Sequence, residues 1–82
     1  MNMKANGCDL SVILPTYNES ENIETLIERL SVVLYDLDFE VIIVDDDSPD
    51  LTWQVAQNIG LLNNRIKTIR RLRTFISTNK KN

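Results

Sequence analysis

The chain has no histidine, one cysteine, two glycines and two prolines in 82 residues. Without histidine there is no imidazole base, no histidine metal ligand and no histidine-dependent triad. The single cysteine, Cys8, excludes an internal disulfide and any cysteine zinc cluster. It reads as a small apolar residue leading into a strand, in keeping with a reducing compartment. With only Gly7 and Gly60, neither G-x-G-x-x-G nor G-x-x-x-x-G-K-[ST] occurs, which argues against dinucleotide enzymes and nucleoside triphosphatases. No apolar run approaches the roughly 20 residues needed to span a bilayer. Met1 to Asp9 lack the apolar core of a secretory signal. The expected location is therefore cytoplasmic, or peripheral to a membrane, with no transmembrane segment.

What is present suits one small globular domain. Hydrophobic residues make up 43% of the chain, which argues against disorder. A domain of this size buries roughly two-thirds of its unfolded surface, so its stability is marginal. Charge is unevenly spread: the first 60 residues carry all 12 acids and two bases, and the last 22 carry seven bases and no acid. Such asymmetry can mark a tail for nucleic acid or an anionic membrane. Among those bases the only aromatic residue is Phe75, so solvated flanks are the simpler reading and no nucleic-acid partner is expected.

Two segments share one construction. Ser11-Val-Ile-Leu-Pro-Thr-Tyr-Asn-Glu19 and Val41-Ile-Ile-Val-Asp-Asp-Asp-Ser-Pro-Asp50 each run from an apolar, β-branched stretch into a polar, acidic turn. Such runs read as buried strands. The first spans about Leu10 to Leu14, with Pro15 closing it because proline cannot donate to a ladder. Asn18 is a candidate helix N-cap with Glu21 as its capping-box partner. Ile23, Leu26, Ile27, Leu30, Val33 and Leu34 then recur at helical spacing, ending near Tyr35. A second strand covers Phe39 to Val44. Thr52 can cap a second helix with Trp53, Ala56, Ile59 and Leu62 inward, and Gly60 is a candidate stop. Arg65 to Arg70 is a weaker third strand.

Strands alternating with helices imply a parallel sheet with right-handed crossovers. Laid down in one direction, three strands place both helices on one face. Yet Val12 and Leu14 point opposite to Ile13, and Ile42 and Val44 opposite to Val41 and Ile43. Strands apolar on both sides are usually covered on both. The pattern expects a second layer, from a larger domain or from a partner chain.

Side by side at the carboxyl ends of adjacent strands, the two turns would border one crevice, where open α/β sheets bind ligands. Tyr17 can stack on a nucleobase. A carboxylate there can accept hydrogen bonds from ribose hydroxyls. These are parts for holding a nucleotide, with no evident nucleophile. The plain alternative is a capped helix and an acidic turn with no ligand.

The two motifs, with Glu21-Asn22-Ile23 between them, resemble the start of a family-2 glycosyltransferase. The nearest type is the dolichol- or polyprenyl-phosphate mannosyltransferase, with S-V-I-L-P-T-Y-N-E-x-E-N followed by I-I-x-D-D-G-S-P-D-G-T. The resemblance covers roughly residues 9 to 72, with Ile66-x-x-Ile69-Arg70-Arg71 similar to the family's next strand. It implies an α/β, partial GT-A (Rossmann-like) fold: a three-stranded parallel sheet with two helices, β-α-β-α-β. Residues 9–72 would be the N-terminal nucleotide-sugar-binding part, and 73–82 a polar, basic, frayed tail. By resemblance Pro15, Tyr17 and Glu19 line the pocket of GDP-mannose or a similar nucleotide sugar, joined by Val44 and Asp46. Family members transfer the sugar with inversion, using a lipid phosphate as nucleophile and Mg²⁺ or Mn²⁺ to neutralise the leaving diphosphate.

The departures shape the expectations. In the family the metal is held by a later D-A-D-like motif, and here no acid follows Asp50. Asp45-Asp46-Asp47 occupies the earlier D-D-G position, so no metal ligand and no catalytic residue is assigned. Asp47 and Leu51 stand where the family has glycine, a cost of about 1 kcal/mol if either turn needs positive φ. Leu72 to Asn82 looks unrelated to the family, as truncation or a frameshift would leave it. The expected protein is thus a truncated glycosyltransferase, inactive alone. The alternative is a non-catalytic module that pairs with another chain through its uncovered sheet face.

Overall fold

A computed structural model describes residues 8–72. Its elements are β1 (Leu10–Thr16), α1 (Ile23–Val33), β2 (Phe39–Asp45), α2 (Thr52–Leu62) and β3 (Ile66–Arg70). The strands form one parallel sheet in the order β1-β2-β3. This is the expected β-α-β-α-β order, an α/β Rossmann-like partial fold. The expected 73–82 tail lies outside the described residues.

One face of the sheet makes the core. Phe39, Val41 and Ile43 of β2 alternate inward and pack with Ile66 of β3, Ile23 and Ile27 of α1 and Ala56 of α2. Val12, Leu14, Leu30, Leu34, Val55 and Ile59 close around them. Burying each such side chain contributes about 1.5–3 kcal/mol. Both helices serve this face. On the other, Ile13 is 58% exposed and Ile69 52%. Ile13 pairs in register with Ile42, and Ile69 with Val44, so the uncovered face carries an apolar row across the sheet.

Several boundaries differ from the sequence reading. Pro15 does not end β1; it pairs in register with Val44 and the strand runs on to Thr16. Proline is tolerated because β1 is an edge strand, where one side of the ladder is open. Asn18 does not cap α1. It sits in the left-handed region at φ 56, and α1 starts after Asn22, which makes no side-chain cap bond. Val33 and Leu62 are exposed rather than inward, and Val55 takes a core place on α2. Gly60 lies inside α2 instead of stopping it. A Cβ there would stand 2.9 Å from the Ile66 carbonyl oxygen, so glycine lets the helix approach β3 closely.

The lopsided charge is folded back on itself. Arg65 pairs with Asp38 at 3.2 Å, Lys67 with Glu40 at 3.7 Å and Arg70 with Asp47 at 2.8 Å. Three bases of the C-terminal segment thereby meet three acids from the first 60 residues. Arg65 also covers the Phe39 ring, 4.4 Å from its centre, and donates to the Phe39 carbonyl at 2.6 Å.

Candidate functional site

The parallel register brings the two acidic turns together at the carboxyl edge of the sheet. Thr16 pairs with Asp45 as the last step of the β1–β2 ladder. The Asp46 N–H then donates to the Thr16 carbonyl at 3.2 Å, carrying the pairing one residue further. Pro15 and Val44 are register partners. Tyr17 and Asp46 lie one residue beyond the ends of β1 and β2. Tyr17 is 45% exposed and Asp46 half-buried. Four of the five residues named from the sequence therefore gather at one edge. Glu19 is drawn toward the helix side: its N–H donates to Thr52 Oγ1 at 2.9 Å. Its carboxylate accepts from Asn22 Nδ2 at 3.3 Å.

Beneath this edge lies a buried polar knot that sequence reasoning missed. Asp45 is fully buried. Its carboxylate accepts from Thr16 Oγ1 at 2.6 Å, from the Ser48 hydroxyl at 2.8 Å and from the Ser48 N–H at 2.9 Å. A buried carboxylate is tolerated when donors surround it in this way. The Ser48 hydroxyl in turn accepts from the Asn18 N–H at 2.9 Å. Asp50 repeats the arrangement nearer the surface. It accepts from the Thr52 hydroxyl at 2.5 Å, the Thr52 N–H at 3.1 Å and the Ser20 N–H at 3.1 Å. Asp50, rather than Thr52, is thus the side chain that satisfies the start of α2. The Thr52 hydroxyl above all holds its carboxyl below the ordinary value; burial opposes this, and the Ser20 N–H adds a smaller lowering.

The second turn is also conformationally special. Asp47 has φ 52 and Leu51 φ 66, both in the left-handed region. These are the two positions where the resembling family carries glycine, so the expected need for positive φ is met by non-glycine residues. Asp47 is held by Arg70 Nε at 2.8 Å, and that guanidinium lies 3.8 Å from the centre of the Trp53 ring.

This geometry separates the three aspartates chemically. Asp45 faces inward and is consumed by Thr16 and Ser48. Asp47 is neutralised by Arg70. Asp46 follows Asp45 at the carboxyl edge, its N–H on the Thr16 carbonyl. Among the described residues no group of three carboxylate, thiol or imidazole side chains is placed to hold a metal ion, and no helix is long and apolar enough to cross a membrane.

Comparison with known proteins agrees with the motif resemblance. The family described as glycosyl transferase family 2 matches residues 11–77. A dolichol-phosphate mannosyltransferase of Pyrococcus furiosus is 53% identical over 51 residues, 62% of this chain and 14% of that protein. An uncharacterised glycosyltransferase of Synechocystis is 38% identical over 69 residues, 82% of this chain and 22% of that protein. The glycosyltransferase AglD of Haloferax volcanii is 36% identical over 67 residues, 77% of this chain and 11% of that protein. The chain spans less than a quarter of the length of these curated relatives. With the family match over most of its length and both motifs on one sheet edge, the chain belongs to glycosyl transferase family 2.

Proposed function

We propose that residues 9–72 form the nucleotide-sugar-binding part of a glycosyltransferase that moves a mannosyl group from GDP-mannose to a polyprenyl phosphate on the cytoplasmic side. The observation that carries this reading is the shared edge of Pro15, Tyr17, Val44 and Asp46 at the carboxyl ends of β1 and β2. In open parallel sheets ligands bind there. Tyr17 offers a ring face to guanine, Asp46 and Glu19 offer carboxylates to ribose hydroxyls and base N–H groups, and Pro15 and Val44 supply apolar wall. The 53% identity to the Pyrococcus furiosus protein supports the choice of mannose and of a lipid phosphate.

An ionised lipid phosphate attacks without a general base, which suits a chain lacking histidine. The divalent ion of the longer family proteins, Mg²⁺ or Mn²⁺, does not fit the three aspartates here. Asp45 and Asp47 are already committed to Thr16, Ser48 and Arg70. No step of this reading depends on the ion. The whole reaction belongs to a protein on the scale of the relatives; the 82 residues alone bind donor and transfer no sugar. Turnover of GDP-mannose by the purified chain, given Mg²⁺ and a polyprenyl phosphate, would overturn that expectation.

Calorimetry with GDP tests the pocket. Removing the Tyr17 ring (Tyr17→Ala) weakens binding at least about fivefold, the lower end of base-stacking energies. Unchanged affinity would remove Tyr17 from the site. A second reading rests on the uncovered face, where Ile13 and Ile69 are more than half exposed. Another chain could cover that row and make this unit an interaction module. A monodisperse monomer in sedimentation would count against it.

A further inference from the structure

We infer that Asp45, Ser48, Asp50 and Thr52 are positioning residues, which through two hydroxyl relays set where Tyr17 and Glu19 stand and thereby tune donor affinity. The affinity half of this inference rests on the proposed function; the placement half does not.

A serine or threonine hydroxyl has one proton to give. Ser48 gives its proton to Asp45, so its lone pairs are left to accept the Asn18 N–H. Thr52 gives its proton to Asp50 and accepts the Glu19 N–H. The next amide, Ser20 N–H, reaches Asp50 directly. Three consecutive backbone donors of the first turn therefore end on carboxylates of the second, two of them through a hydroxyl. Asp45 also takes the Thr16 hydroxyl. Both chain neighbours of Tyr17, Thr16 and Asn18, thus lead to the same carboxylate.

Two features make the relays decisive for placement. Asn18 is in the left-handed region, which asparagine tolerates better than most L-residues but still adopts at some cost, so the bond to Ser48 helps fix it there. Asp45, Ser48 and Thr52 are at most 1% exposed, so water does not compete for their bonds. In such surroundings linked hydrogen bonds reinforce one another. Their burial also keeps these three side chains away from any ligand, so their influence on binding passes through the first turn.

The test uses the full chain, with amide exchange at Asn18, Glu19 and Ser20 referred to Ile43, and GDP calorimetry alongside. Thr52→Val keeps the shape of the side chain and removes the hydroxyl. Exchange at Glu19 should rise about fivefold or more, the effect of losing one net hydrogen bond, and GDP affinity should fall by a similar factor. Thr52→Ser, which restores the hydroxyl, should bring both back to within about twofold, a rescue that loss of general stability would not give. Ser48→Ala should act in the same way at Asn18, and it carries the test if Thr52→Val does not fold. Unchanged exchange in both variants overturns the relays. Faster exchange with unchanged GDP affinity, while Tyr17→Ala still weakens GDP, overturns the positioning role and leaves the pocket standing. If wild type does not bind GDP the proposed function fails, and exchange with its serine rescue decides the relays by itself.

Discussion

The two acidic turns are alike in sequence and opposite in role. The turn after β1 contributes backbone: the N–H groups of Asn18, Glu19 and Ser20 all point across to the other motif. The turn after β2 contributes side chains: Asp45, Ser48, Asp50 and Thr52 take those donors and satisfy one another. One turn is thus a template and the other is shaped on it. The lesson is that a motif rich in carboxylates need not present them to a ligand. Half of its acids can be spent holding the neighbouring loop in place.

The largest test of this asymmetry is to remove one equivalent acid from each turn. Asp45→Ala strips a fully buried carboxylate from three donors, leaving Thr16 and Ser48 unpaired. Destabilisation of about 2–4 kcal/mol is expected, from the cost of unsatisfied buried groups. Glu21→Ala, at an exposed site of the first turn, should stay within about 0.5 kcal/mol. Urea unfolding measures both, and equal losses would erase the distinction.

Threonine hydroxyls give a finer comparison. Thr16 and Thr52 are tied into the two turns, whereas Thr68 Oγ1 in β3 is buried with no partner among the described residues. Thr68→Val replaces an unpaired hydroxyl by a methyl of similar shape and should stabilise by about 1 kcal/mol. Thr52→Val should do the opposite. If both substitutions shift the unfolding midpoint in the same direction, the hydrogen bonds assigned to Thr52 contribute nothing distinctive.

Backbone strain separates the turns too. The second turn holds two non-glycine residues at positive φ, Asp47 and Leu51, and the first holds one, Asn18. Leucine is poorly suited to that region, and Leu51 is 48% exposed, so little packing is lost on its removal. Leu51→Gly should therefore stabilise by about 0.5–1 kcal/mol. Asp47→Gly should gain less, because it also gives up the Arg70 pair, a surface interaction worth about 0.2–1 kcal/mol. Thermal unfolding of the two variants orders them.

What could be read from the sequence follows the range of each interaction. Strand and helix order was legible because β-branched runs and helical spacing are local signals. The one-directional strand order foretold a face without helices, where Ile13 is exposed; the second layer that the two-faced apolar pattern of Ile13, Ile42 and Val44 expects is not among the described residues. Glycine positions of the resembling family foretold positive φ at Asp47 and Leu51. Pro15 was misread because an edge strand, where proline is tolerated, is a property of sheet order rather than of sequence. Asn18 looked like a cap because its spacing to Glu21 matched one. The relay was invisible because each cross-turn bond joins residues about 30 apart. Its signal, visible only afterwards, is the phase of D-x-x-S and D-x-T within one turn.

The smallest expected effect concerns pH. Asp50 is a hydrogen-bond acceptor for Thr52 and Ser20, which lowers its carboxyl from the ordinary value. A carboxyl depressed in the folded state contributes stability that is fully present above its unfolded value, near pH 3.9, and is lost as pH falls below it. Protonation of Asp50 should therefore loosen the Ser20 amide, which donates to it. Glu40 supplies the control. It is lowered as well, chiefly by Ser11 and with help from Lys67, but it sits in β2 five residues before Asp45. Asp50→Asn should flatten the acid dependence of Ser20 exchange, and Glu40→Gln should leave that dependence intact while reducing the acid sensitivity of global unfolding. If Glu40→Gln alone flattened Ser20 exchange, the acid response would belong to the sheet as a whole and the second turn would have no separate hold on the first.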